Sequence, residues 1–270
     1  MSHRFGRYDL TTLVDGVFST SSEVLIHPAG EAPRQAAIAE VGPKISIVVN
    51  CFALAGEDGI TLIDAGTGPS WGEAMGHAPA AMKQAGIAPG AVKRILITHL
   101  HGDHALGLFD GEEPFFPRAE IIVPEADFAF FGDEAKRDAI PENKRGGFAI
   151  TATLKRLYAG RIRTAAPGEV MPGLSLIPLP GHTFGHSGYL LEGGAQPLLF
   201  WGDALHLAGL QSADPDLALV YDLDSALAIR SRRGILERAA GQGWLAAGSH
   251  VEGISRVERA GEGYRLVRVD

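Results

Sequence analysis

The strongest constraint in this chain is positional: its chemically distinctive side chains stand where apolar β-runs stop. Residues 92–98 read as a strand, and His99-Leu100-His101-Gly102-Asp103-His104 follows at once. The same arrangement recurs downstream in Pro180-Gly181-His182-Thr183, Trp201-Gly202-Asp203 and Gly248-Ser249-His250, each directly after a predicted strand. Strand ends in sandwiched sheets are where loops converge on a site, so the pattern points to a layered sheet protein with its chemistry on one rim.

The rest of the sequence agrees with that frame. Residues 44–55 read as a strand, Gly56-Glu57-Asp58-Gly59 is turn chemistry, and residues 60–64 resume as a strand, which together make a hairpin. Ser70 is placed to cap a helix over 71–84 that stops at Gly86 and Pro89. Further strands are predicted at 120–123, 174–179, 187–191, 198–202 and 244–247, with helix and loop over 124–153. A helix over 225–240 is capped by Asp224 and weakened by Gly234. Hairpins mixed with strand-helix units predict an α/β (α+β) fold in which mixed sheet is sandwiched by helices. With 270 residues, 46% of them hydrophobic, the expectation is a single domain over 1–270.

Charge and cysteine content narrow the function classes. A formal net charge of −8 leaves no basic stripe to neutralise a phosphate backbone, so nucleic acid is not an expected ligand. Cys51 is the single cysteine, which excludes an intrachain disulfide and a Cys-only zinc site, and its apolar surroundings predict a buried structural thiol. Residues 1–9 are charged and polar, and no run approaches a membrane span, so a cytoplasmic protein with a small-molecule substrate is expected.

Three histidines and an aspartate within six positions form a dense supply of metal ligands. Alternate residues of an extended segment point the same way, so His99 and His101 can face one ion, while a turn at Gly102 can bring Asp103 and His104 round to another. Neutral imidazole with carboxylate suits zinc, and also iron or manganese.

The signature His99-x-His101-x-Asp103-His104, followed by His182, Asp203 and His250, resembles the full dinuclear pattern of the metallo-β-lactamase superfamily. Leu62-Ile63-Asp64-Ala65-Gly66 is similar to that family's early strand motif. The resemblance implies a four-layer αβ/βα sandwich of two mixed sheets flanked by helices, and two divalent ions per chain, zinc foremost. It assigns His99, His101 and His182 to the first ion, Asp103, His104 and His250 to the second, and Asp203 to both. It further implies a hydroxide shared by the ions that attacks an ester-type bond, with Asp103 also shuttling the proton to the leaving group.

Around this set, Asp64 reads either as the acceptor that orients a ligand imidazole or as the closure of the turn before Gly66. His186 and His206 lie next to ligands but outside the pattern and are expected to brace the loops. Pro124-Glu125-Ala126-Asp127-Phe128 and Trp201-Gly202-Asp203-Ala204-Leu205-His206 resemble the methyl parathion hydrolase branch, while Ser249-His250-Val251-Glu252-Gly253-Ile254 departs from it. The resemblance therefore favours lactone, aryl ester or phosphotriester cleavage. β-Lactamase or glyoxalase II-like thioesterase activity, an iron-dependent redox enzyme and a non-catalytic metal-binding scaffold are the alternatives. Phe115, Phe116, Phe128, Phe130, Phe131 and Phe148 cluster around 124–153. They read as a lid or substrate wall, with Phe128, Phe130 and Phe131 at its centre, or else as core packing or a homodimer contact.

Overall fold

The computed structural model describes residues 2–269. Seven strands of the first part of the chain lie side by side: Ser2–Phe5 (β1), Tyr8–Ser21 (β2), Lys44–Gly56 (β3), Gly59–Ile63 (β4), Val92–Leu96 (β5), Glu120–Pro124 (β6) and Ile162–Ala165 (β7). Seven more form a second sheet: Gly168–Met171 (β8), Leu174–Pro178 (β9), Ser187–Leu191 (β10), Leu198–Phe200 (β11), Leu245–Gly248 (β12), Val251–Ala260 (β13) and Gly263–Arg268 (β14). In both sheets the spatial order of the strands is their order in the chain. Both are mixed. β4 to β7 run parallel, as do β11 and β12, and the other pairings are antiparallel.

Alternation along the strands builds the layers, because successive side chains leave opposite faces. Leu10, Phe52, Leu54, Ile63, Leu96 and Ile122 of the first sheet meet Leu174, Leu176, Tyr189, Leu191 and Phe200 of the second in a shared core. Their neighbours Ala53, Leu62, Ile95 and Ile121 point the other way, onto Met82 of helix Ala78–Gln84 and Leu154 of helix Gly146–Leu157. On the far side, Leu190, Leu199 and Ala246 pack against Ile235, Leu236 and Ala239 of helix Ser225–Gln242. The result is the four-layer αβ/βα sandwich. Cys51 is buried in the first of the helix-facing layers.

Helix Ser225–Gln242 is capped as expected, with the Asp224 carboxylate accepting the Leu227 amide at 2.9 Å, and it ends at Gly243 in the left-handed region. The helix expected over 71–84 is a correction. A short 3-10 turn, Gly68–Trp71, comes first, and Ser70 caps nothing; Gly72 and Gly76, at φ 80° and 79°, break the run before helix Ala78–Gln84 starts. The Asp15 carboxylate holds that break together by accepting the Thr67, Gly76 and Ala78 amides. Among the described residues no helix is long and apolar enough to cross a membrane.

Candidate metal centre

The chain leaves β5 through Thr98 and reaches the cluster in extended form, with His101 at φ −88°, ψ 164°. The single helical turn Gly102–Ala105 then swings Asp103 and His104 round. The other donors come from the second sheet. His182 follows β9, Asp203 follows β11 and His250 follows β12, so all seven residues meet at one rim. Gly202 makes this possible beside Asp203: its φ is +53°, and a Cβ there would lie 2.6 Å from His186 Nε2.

Two groups of donor atoms form, each close enough to hold an ion: His99, His101 and His182, and Asp103, His104, Asp203 and His250. Asp203 stands between them. Its Oδ2 lies 3.1 Å from His182 Nε2, 3.1 Å from His250 Nε2 and 3.7 Å from His99 Nε2, and its Oδ1 lies 3.1 Å from His104 Nε2. Asp103 Oδ2 is 3.5 Å from both His104 Nε2 and His250 Nε2. His206 departs from its expected bracing role. Its Nε2 reaches to 3.2 Å from Asp203 Oδ2, inside a third possible group with His182 and Asp203, and its ring stacks on His250 at 4.8 Å.

Behind this layer a set of acceptors fixes the rings. His104 Nδ1 donates to Asp64 Oδ2 at 2.7 Å, His182 Nδ1 to Asp222 Oδ1 at 2.9 Å, and His250 Nδ1 to the Val48 carbonyl at 2.8 Å. Asp64 is itself pinned by the Thr98 amide and hydroxyl and by Ser249 Oγ, and it is the one non-glycine residue described at positive φ, 60°. Asp64 thus orients the His104 imidazole. His186 is equally committed: its Nδ1 donates to the Leu179 carbonyl at 2.7 Å and its Nε2 accepts the Asp203 amide at 2.9 Å.

These commitments decide what fits in the middle. With Nδ1 spent as a donor, His104, His182 and His250 each turn an Nε2 lone pair towards the Asp203 carboxylate, acceptor against acceptor, and His182 Nε2 also lies 2.9 Å from His101 Nδ1. A proton on a ring or a shared cation relieves that arrangement. His99 Nε2, His104 Nε2 and Asp203 Oδ1 are buried without a hydrogen-bond partner, so the donor set fits divalent ions with lone pairs to spare. The electrostatics show how strongly the carboxylates draw positive charge onto these rings. Burial opposes charge on His182, yet Asp203 and Asp222 hold it up at about 9, whereas burial and its neighbour His182 push His101 down to about 3. Burial also opposes ionisation of Asp203, but the surrounding imidazoles hold its carboxyl well below the usual range.

Over the cluster lies a cavity of about 550 Å³, lined by His101, Asp103, His182, Asp203, His206 and His250 on its floor. Its apolar walls are Phe18, Ile47, Val49, Trp71, Leu106, Ile150 and Val220. Phe128, Phe130 and Phe131 are not among them, which corrects the expected substrate wall. Phe131 is buried, and Phe128 and Phe130 pack against the helix-facing core, where Phe130 and Phe131 also meet Phe148. Segment 124–153 does border the cavity, through Asn143, Lys144, Gly146, Gly147, Ala149 and Ile150 instead.

Residues 47–242 match the model of the metallo-beta-lactamase superfamily. The chain belongs to that superfamily. Within it, the chain is 32% identical over 163 residues to YobT of Bacillus subtilis, an uncharacterised protein, covering 60% of this chain and 64% of YobT. It is 34% identical over 129 residues to a hydroxyacylglutathione hydrolase of Cupriavidus taiwanensis, covering 47% of this chain and 41% of that protein. The chain thus spans less than two thirds of the length of these relatives. Two solved structures superpose over 100% of this chain and 97% of theirs: the hydrolase AbOPH of the beta lactamase superfamily, with a TM-score of 0.90 at 25% identity, and AidC, a dizinc quorum-quenching lactonase, with a TM-score of 0.87 at 21% identity.

Two further carboxylates support the cluster: Asp222, which carries no local signal, and Asp127, which the sequence shows only as part of the segment 124–128. Asp222 holds His182, and Asp127, at the start of helix Glu125–Phe131, accepts the amides of Leu100 and Gly185 and so ties the two histidine loops together. Their partners lie 27 to 58 residues away, beyond any local spacing rule.

Proposed function

We propose that this superfamily member is a metal-dependent hydrolase that holds two divalent ions, zinc foremost, and cleaves an ester-type bond: a lactone, an aryl ester or a phosphotriester. The observation that carries this reading is the trio His104, His182 and His250, each with Nδ1 committed as a donor and Nε2 turned to Asp203. His99, His101 and His182 would hold one ion, Asp103, His104 and His250 the other, and Asp203 both. Divalent ions bound there bring a water's pKa towards about 7 and stabilise a developing oxyanion.

The chain's own residues do the rest. Asp103 is the most open carboxylate of the set, its side chain 14% exposed toward the cavity, and although burial opposes its charge, the neighbouring His104 and His250 hold its carboxyl low. It is therefore an ionised acceptor at neutral pH, placed to take a proton from the attacking water and pass it to the leaving oxygen. Leu106, Ile150, Trp71 and Val220 hold an apolar acyl or aryl group and exclude water beside the reacting bond. An alkoxide or phenoxide leaves with little protonation, whereas an amide nitrogen must receive a proton.

Thioester cleavage is the second reading, favoured by the likeness to hydroxyacylglutathione hydrolase. A peptide-derived anion calls for several cations, and the cavity walls offer one, Lys144. The deciding experiment is a panel of lactones, aryl esters, phosphotriesters, thioesters, penicillins and carbapenems with the zinc-reconstituted protein. The expected ranking puts an ester-type substrate first in kcat/KM. A preferred β-lactam or thioester overturns the substrate class, and absence of turnover on the whole panel transfers the case to the redox or scaffold alternatives.

A further inference from the structure

The cavity has two walls from distant parts of the chain, and one side chain joins them. Lys144 ends the 3-10 turn Glu142–Lys144, just before helix Gly146–Leu157, and its Nζ donates to the Asp222 carbonyl at 2.5 Å. Both Lys144 and Tyr221 line the cavity, so this hydrogen bond spans from the 142–150 wall to the 220–222 wall. Asp222 faces the site by its other end, where Oδ1 accepts His182 Nδ1–H at 2.9 Å.

The two buried carboxylates that orient ligand rings are held very differently. Asp64 receives the Thr98 amide, the Thr98 hydroxyl and the Ser249 hydroxyl in addition to His104. Asp222 receives His182 alone; its second oxygen is buried with no hydrogen-bond partner. No neighbouring side chain fixes the angle of the Asp222 carboxylate, so that angle follows from its backbone. The backbone there is tied by the Asp222 amide to Leu219, by the Leu223 amide to the His182 carbonyl at 3.0 Å, and by the Lys144 ammonium. Of these ties, the ammonium alone is a charged donor, and such bonds are about twice as strong as neutral ones. Partial burial lowers Lys144 from its ordinary value, with Asp222 acting the other way, as expected for an ammonium that exchanges water for this carbonyl.

We propose that Lys144 is a positioning residue: by gripping the Asp222 backbone across the cavity it sets the aim of His182, and with it the ion affinity of the His99, His101 and His182 group. The inference rests on the reading of His182 as a ligand. It makes the 142–150 wall part of the metal centre's support as well as a boundary of the substrate space.

The test is zinc competition against a chromophoric chelator, on substrate-free protein, for wild type, Lys144→Met, Lys144→Arg and His182→Ala. Lys144→Met keeps the length of the stem and removes the donor; it should fold as wild type by circular dichroism and bind one of its two zinc ions about tenfold less tightly, at the low end of the loss for outer-layer partners. Lys144→Arg should restore affinity, because a guanidinium can donate to the same carbonyl. Should Lys144→Met fold poorly, Lys144→Gln replaces it. Wild-type zinc affinity in Lys144→Met, while His182→Ala loses an ion, overturns the proposal; so does a raised KM with affinity unchanged, which makes Lys144 a substrate contact. His182→Ala with undiminished zinc binding would instead remove the ligand reading beneath it.

Discussion

Asp127 Oδ2 accepts the Leu100 amide at 2.7 Å, in the middle of the His99–His101 segment. Its Oδ1 takes the Gly185 amide at 3.0 Å, between His182 and His186, so one buried carboxylate sets the spacing of loops from two different sheets. Gly185 fits so closely that a Cβ there would lie 2.0 Å from the Asp127 nitrogen. Asp127→Ala leaves two buried amides unpaired, at about 1–3 kcal/mol each. Urea unfolding of the metal-free variant should show that loss; an unchanged midpoint would mean that water replaces the carboxylate.

The same residue gives a pH signature. Burial outweighs the hydrogen bonds from the Leu100 and Gly185 amides and lifts the Asp127 carboxyl to about 6. In the unfolded chain it titrates near 4. The folded state therefore holds this proton more tightly, and the associated stability is full below about pH 4 and is lost as pH rises through about 6. Asp127→Asn has no proton to lose. The stability of wild type minus that of Asp127→Asn, measured on metal-free protein, should decline from pH 4 to 6.5; a rise over that window reverses the assigned sign.

Asp64 combines a backbone constraint with a ligand contact. At φ 60° it occupies a region that asparagine tolerates and alanine does not, and it satisfies His104, Thr98 and Ser249 together. Asp64→Asn should fold and bind zinc about 10–100-fold more weakly. Asp64→Ala should be the less stable of the two, by thermal melting. Equal melting points would show that neither the backbone angle nor the buried donors matter there.

His186 illustrates what the sequence concealed. Outside the ligand pattern, its loss would be expected to be mild; in the fold it accepts the Asp203 amide, and burial pushes it down to about 3, in keeping with a neutral ring that accepts at Nε2. His186→Ala should therefore displace Asp203 and cost kcat/KM at least about tenfold, close to the loss for other partners of ligands. Wild-type rates and zinc content in this variant would return His186 to a packing role.

The residues that were legible from sequence share one property: the strand and its ligand are contiguous. Thr98 to His104, Gly181-His182 and Gly202-Asp203 each carry their own local signal, a β-run ending in a donor. Asp222, Asp127 and Lys144 act on partners across the fold, and such pairings have no period. The 71–84 segment was misread for a related reason, since the apolar spacing there is helical while Gly72, Gly76 and the distant Asp15 impose a break. The long strand β2, the helix Glu31–Val41 and the β13–β14 hairpin carry no clear local signal either: their solvent faces dilute the apolar pattern.

Asp203 offers the plainest stoichiometric test. Among the described residues it is the sole carboxylate within 3.1 to 3.7 Å of histidine nitrogens from both groups, so Asp203→Asn should take elemental analysis from two zinc ions per chain to one or fewer, with kcat down by several orders of magnitude. Saturation of the wild type at a single ion would remove the shared role.

Both sheets lay down their strands in chain order, and this has a temporal meaning during synthesis. When residues 2–165 have emerged, one whole sheet can pair up strand by strand, already carrying His99, His101, Asp103 and His104. Their partners His182, Asp203 and His250 are still to come, and Asp203 and His250 arrive only as the second sheet is being completed. The nascent half is thus a half-claw, and the full grip closes only when the last strands dock. Metal capture would then act as a late latch between two halves that fold in sequence, and it would mark the moment at which the younger half has found the older one.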